Sequence, residues 1–154
     1  MDDVYKSPES SLARDNAEIK YAGFWTRFAA SIIDSLWMLP LIVVLGYLYY
    51  GSQYIMSDAL YLGGFDIFIQ YILPAFITLA FWVYKSATPG KMAVRTKIVD
   101  ARTLEPASNG QLVIRYFSYY ISMLVLFLGF IWVAFDKRKQ GWHDKLAKTL
   151  VIHD

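Results

Sequence analysis

Arg27 and Asp34 stand seven positions apart at the head of a long apolar run, so on a helix they share one face. At about 1.5 Å rise per residue they lie roughly 10 Å apart along the axis, with Ser31 between them and Ser35 just beyond. A carboxylate in hydrocarbon costs about 2.5–3.5 kcal/mol on insertion scales, so Asp34 must face protein or trapped water. Such a carboxylate has two uses. It can pair with an arginine and fix helix register, or it can exchange a proton or a cation. Asp136, which closes the last apolar run, is the third candidate for the same polar network or ion pathway. Gln70 and Thr78 in the second run, and Arg115 and Ser122 in the third, are secondary candidates.

The elements that must position these groups are three apolar segments, at about 24–50, 67–84 and 116–135. From Phe28 to Tyr50 the one formally charged side chain is Asp34, and about 20 apolar residues suffice to cross a bilayer. Tyr21, Phe24 and Trp25 give the first segment an aromatic entry at headgroup level. Pro40 removes a helical donor inside it and predicts a modest kink. In the second segment Gln70, Pro74 and Thr78 recur every four residues, a face suited to helix–helix contact or to lining a path. In the third, Arg115, Tyr119 and Ser122 share a face, and Gly129 interrupts the run. The expected fold is an all-α integral membrane protein with two full transmembrane helices and a third apolar segment that either spans or re-enters. A small cytosolic β element completes it: Val94–Val99 has β-rich composition, and Thr149–Ile152 is placed to pair with it.

Between and around these segments the composition is polar. Residues 1–20 read as a cytosolic tail, 51–66 as a surface loop or short helix, 85–115 as a basic connection and 136–154 as a basic tail. Positive residues set the orientation. The 51–66 connection has no Lys or Arg, the 85–115 connection has six, and the tail after Phe135 has five. The first two spans therefore place the N-terminus and the 85–115 connection in the cytosol. A third complete span would export the five-positive tail against the rule. A hairpin that enters, breaks near Gly129 and returns keeps it inside, provided the turn is covered by protein. Three full spans are the alternative.

Composition removes several function classes. The 56% hydrophobic content is too high for an ordinary soluble domain of 154 residues. Without cysteine there is neither a disulfide nor a thiolate site, and two histidines are too few for a His-based metal centre. No cofactor and no catalysis are expected. His143-Asp144 lacks a nucleophile at recognisable spacing and reads as a surface pair. Thr88-Pro89-Gly90-Lys91 lacks the Walker pattern and reads as a turn. The basic residues flank apolar spans, which argues for anionic lipid headgroups and against nucleic acid as their partner.

Arg27, Asp34 and Asp136 together resemble the arginine and two aspartates that name the RDD family of small bacterial membrane proteins. Thr88-Pro89-Gly90-Lys91 leading into Ile98-Val99-Asp100 is similar to that family's segment after the second span. Gly129 to Asp136, then Arg138, Gln140-Gly141 and His143 to Ala147, resemble its C-terminal signature. The likeness covers about 21–152. It implies a multi-pass protein of the bacterial inner membrane, with transport, including cation–proton exchange, as the conjectured role. Two or three spans are too few to enclose a path, so a transporter would be a homo-oligomer. The alternative is a non-catalytic scaffold or accessory protein that binds a protein partner or anionic lipid through its basic loop and tail.

Overall fold

The computed structural model describes residues 19–154. The expected N-terminal tail lies outside them except for its last two residues. Helix α1 (Phe24–Tyr50) is uninterrupted through Pro40 and ends at Gly51, where φ is +65° and the N–H bonds the carbonyl of Tyr47 at 2.8 Å. Its 27 residues span roughly 40 Å, enough to cross a bilayer. A short helix α2 (Gln53–Met56) follows at the far end. Helix α3 (Gly64–Lys85) brings the chain back over 22 residues, with one widened, π-type turn at Phe68–Ile72. Both helices bury little of their surface against the rest of the chain, as lipid-facing spans do.

Ser86, at φ +54°, stops α3 and accepts a hydrogen bond from the amide of Ile98 at 2.7 Å. Between them lies α4 (Pro89–Ala93), which starts as its sequence dictates: Thr88 is the N-cap and Pro89 takes the first helical position. Strand β1 (Thr96–Asp100) pairs antiparallel with β2 (Thr149–His153), Ile98 opposite Val151. The segment after Leu104 adds only a single bridge, Pro106 to Val99.

The third apolar run is two helices, α5 (Asn109–Leu124) and α6 (Leu128–Phe135), bent by 98°. Ser108 and Gln111 cap α5 reciprocally, side chain to backbone in both directions. The break falls at Leu126 and Phe127, both at positive φ, two residues short of Gly129. Gly129 has another use. A Cβ there would sit 2.6 Å from the Ser122 hydroxyl, so glycine lets α6 fold back onto α5.

Both ends of this bent pair meet the same face. Arg138, just past α6, donates from Nη2 to the carbonyl of Ala101, ahead of α5, at 2.7 Å. The amide of Ala22 bonds Val151 at 2.9 Å, tying the entry of α1 to β2. The start of α1, the end of α3 and both ends of the third run thus join one layer with the sheet and helix α7 (Trp142–Ala147). Ala22, Trp82, Ile98, Leu112 and Val151 form its buried apolar centre.

Candidate functional site

Asp144 sits in the first turn of α7 and is fully buried. Its Oδ2 accepts from the Gly141 amide at 2.8 Å, the reach-back of a helix N-terminus. The same oxygen takes Nη1 of Arg27 at 2.5 Å, and Oδ1 takes Nη1 of Arg115. Arg27 also donates from Nε to Ala22 at 3.0 Å and from Nη2 to Lys139 at 2.6 Å, both backbone carbonyls. Arg115 donates to the Thr149 hydroxyl at 2.7 Å. One carboxylate therefore clasps an arginine from α1 and one from α5. Burial alone would raise the Asp144 pKa, but Arg115 and Arg27 outweigh it and hold the group far below the carboxylate range.

His143 is buried beside it. Its ring lies 4.5 Å from Tyr119 and 5.0 Å from Phe130, with Nδ1 3.3 Å from the Ser122 hydroxyl. Burial pushes it down to about 3; Asp144 pulls the other way and the nearby cations do not. At neutral pH it is uncharged. The expectation of a surface pair at His143-Asp144 is thus wrong, because Gly141 starts a helix whose first turn points inward. A Cβ at Gly141 would stand 2.6 Å from that imidazole and 2.8 Å from the Gly129 carbonyl.

Asp34 faces a different partner. It accepts from the Thr88 hydroxyl at 2.5 Å, from the Gly90 amide at 2.7 Å and from Trp37 Nε1 at 3.4 Å. It therefore holds the first turn of α4 against α1. Gly90 is required there, since a Cβ would fall 2.0 Å from the Ala30 carbonyl oxygen and 2.8 Å from the Asp34 carboxyl carbon. The turn expected at Thr88-Pro89-Gly90-Lys91 is accordingly a helical one, docked on α1.

Asp136 shapes a third spot. Oδ2 accepts the amides of Arg138 and Gln140 at 3.0 and 3.1 Å, and Oδ1 pairs with Lys145 at 2.7 Å. Burial would raise its pKa, but Lys145 and the two amides keep it below the usual range. The expected network of Arg27, Asp34 and Asp136 is therefore three separate constructions, and the charge that answers Arg27 is Asp144. Ser31 and Ser35 bond back to the carbonyls of Arg27 and Ser31 at 3.0 and 2.9 Å. Gln70 donates to buried Asp66 at 2.6 Å, so it does not share a site with Thr78.

Arg27, Asp34, Thr78, Arg115 and His143 do line one cavity of about 650 Å³ between α1, α3, α4, α5 and α6. Its inner end is polar, with Lys91 and Thr88 added. Its walls are apolar, and among them Phe28 of α1 and Met123, Phe127 and Ile131 of the bent pair are exposed. Trp82 lies at the inner end, 5.5 Å from the Arg115 guanidinium and 5.7 Å from Lys91 Nζ. Two buried donors, Trp82 Nε1 and Arg115 Nε, have no hydrogen-bond partner among the described residues. Sequence reasoning missed Asp144, His143, Thr88, Gly90, Lys91 and Trp82 here. The cap patterns Thr88-Pro89 and Gly141 to Asp144 were the available signals.

A model of the RDD family matches residues 21–148. An uncharacterized protein of Rickettsia prowazekii, RP437, is 35% identical over 64% of this chain, and the chain spans 62% of that relative's length. Two Bacillus subtilis proteins match over nearly their whole lengths. The uncharacterized protein YxaI is 30% identical over 87% of the chain, and the uncharacterized membrane protein YteJ is 29% identical over all of it. No solved structure matches. The chain belongs to the RDD family of membrane proteins.

Proposed function

We propose that this chain is a non-catalytic unit of the bacterial inner membrane that binds an amphiphilic ligand from the bilayer and passes it on, working as a homo-oligomer. The observation that carries this reading is the cavity: charged and polar groups gathered in one part of it, apolar walls, and exposed lining side chains at Phe28, Met123, Phe127 and Ile131. Its volume falls in the range usual for small-ligand sites, about 300–1,000 Å³. By the distribution of Lys and Arg, the face that carries the sheet is cytosolic, as is the N-terminus.

Cation–proton exchange at Asp34 is the competing transport reading. Asp34 already accepts three hydrogen bonds, two that hold α4 and one from Trp37 of its own helix, which suits a structural carboxylate better than an ion-exchanging one. A scaffold role through the exposed Lys137 and Arg138 is the remaining alternative. Purified protein in vesicles should retain an amphiphile that Ile77→Trp, which fills the cavity, displaces. A pH gradient dissipated by added Na⁺ or K⁺ in wild type but not in Asp34→Asn would instead favour exchange. Neither behaviour, from folded protein, would favour the scaffold.

A further inference from the structure

The inner end of the cavity carries an imbalance of charge. Arg27, Lys91 and Arg115 line it, Asp34 lines it, and Asp144 stands behind the two arginines. His143 is neutral, so three cations face two carboxylates. Asp34 is directed to the Thr88 hydroxyl and the Gly90 amide, and Asp144 is shared between two guanidiniums. An excess positive charge at the edge of hydrocarbon is costly unless an anion meets it.

Two unused donors lie on neighbouring side chains of the lining. Arg115 is 1% exposed and its Nε is unpartnered; Trp82 is equally buried and its Nε1 is unpartnered. Lys91 Nζ and the Arg115 guanidinium lie on the Trp82 ring at 5.7 and 5.5 Å. A phosphate offers several acceptor oxygens within a few ångströms, which suits donors on one arginine, one indole and one ammonium. The rest of the lining is apolar and includes exposed Phe28, Met123, Phe127 and Ile131, beside which a soluble anion gains nothing and an acyl chain does.

We propose that the cavity holds an anionic phospholipid of the bilayer, its phosphodiester against Arg115, Trp82 and Lys91 and one acyl chain running out past Met123 and Phe127. This names the ligand class for the binding unit proposed above and rests on that reading. It is a different contact from that of surface lysines with headgroups, since the headgroup is taken inside the fold.

The test uses the full chain in phosphatidylcholine vesicles. One preparation contains phosphatidylglycerol with a photoactivatable diazirine in an acyl chain, and the other carries the same probe on phosphatidylcholine. The phosphatidylglycerol probe should label peptides spanning 77–82 and 123–131 about fivefold to tenfold more, the value of one partly solvated charge-assisted contact. Lys91→Gln, at a half-buried position, should bring the two probes close to parity, and Ile77→Trp should suppress both. Equal labelling by both probes, still suppressed by Ile77→Trp, keeps the ligand site and, since both lipids carry a phosphodiester, overturns the assignment to an anionic lipid. Labelling that Ile77→Trp leaves unchanged overturns the site as well. Loss of the preference in millimolar inorganic phosphate would assign the anion site to a soluble ion and overturn the lipid.

Discussion

Arg27 and Asp144 are 117 residues apart and joined by a 2.5 Å ion pair, with the Asp144 carboxylate fully buried. The contact ties the first span to the last helix and is shared with Arg115 of the bent pair. Asp144→Asn would strand two guanidiniums away from water. Its expected cost is about 3–5 kcal/mol, the usual penalty for removing one partner of a buried pair. Arg27→Gln and Arg115→Gln should each cost less when Asp144 is already Asn. Additive losses in thermal unfolding in detergent would mean the three groups do not act together.

Asp34 and Asp136 share no partner, so they should behave as independent sites. Asp34→Asn loses an acceptor at Thr88 or Gly90 and should cost about 1–3 kcal/mol. Combined with Thr88→Val, its effect should be less than additive. Combined with Asp136→Asn, it should add to within about 0.5 kcal/mol. Strong coupling between Asp34 and Asp136 would restore the single network read from sequence.

Gly90→Ala tests the docking of α4 more sharply, because the added carbon would stand 2.0 Å from the backbone oxygen of Ala30. A backbone obstacle cannot rotate away, so α4 or α1 must shift. The expected loss is at the upper end of the overpacking range, about 3 kcal/mol or more. Gly110→Ala meets nothing within 4 Å and should be near neutral in the same melting experiment.

The pH dependence follows from His143, which is pushed down to about 3 chiefly by burial. Its folded pKa lies below the ordinary 6.5, so the unfolded chain binds a proton that the folded chain refuses. Stability is therefore full above pH 6.5 and falls as the pH drops toward 3, by up to about 1.4 kcal/mol per unit. Asp144 adds a further loss once the pH passes below the ordinary carboxylate value. Melting temperatures between pH 7 and 4 should fall less steeply in His143→Gln. Equal slopes would show that the imidazole is already charged in the fold.

What the sequence revealed, and what it hid, divides along physical lines. Apolar run length gave two spanning helices within about three residues at their ends, because a bilayer requires them. The pairing of the segment near Val99 with the one near Leu150 was legible from β-rich composition and from charge placement together. Arg27 was visible as a buried cation, but its partner was not. Asp144 lies in a polar tail with lysines around it, and nothing local says that its helix turns inward. The break was legible to within three residues through Gly129, but its placement at Leu126 and Phe127 was not, since two bulky residues at positive φ run against every propensity. Gly129, the better sequence candidate for a break, serves close packing against Ser122 instead.

The third apolar segment returns to the face it left, which is what brings Arg115, Arg27 and Asp144 together. The native chain has no cysteine, so single cysteines placed at Arg102, Lys148 and Leu60 report sidedness cleanly. In intact cells an impermeant thiol reagent should modify the cysteine at Leu60 and spare those at Arg102 and Lys148, which react only after lysis. Modification at Lys148 in intact cells, with Arg102 protected, would mean that the segment crosses the membrane and does not return.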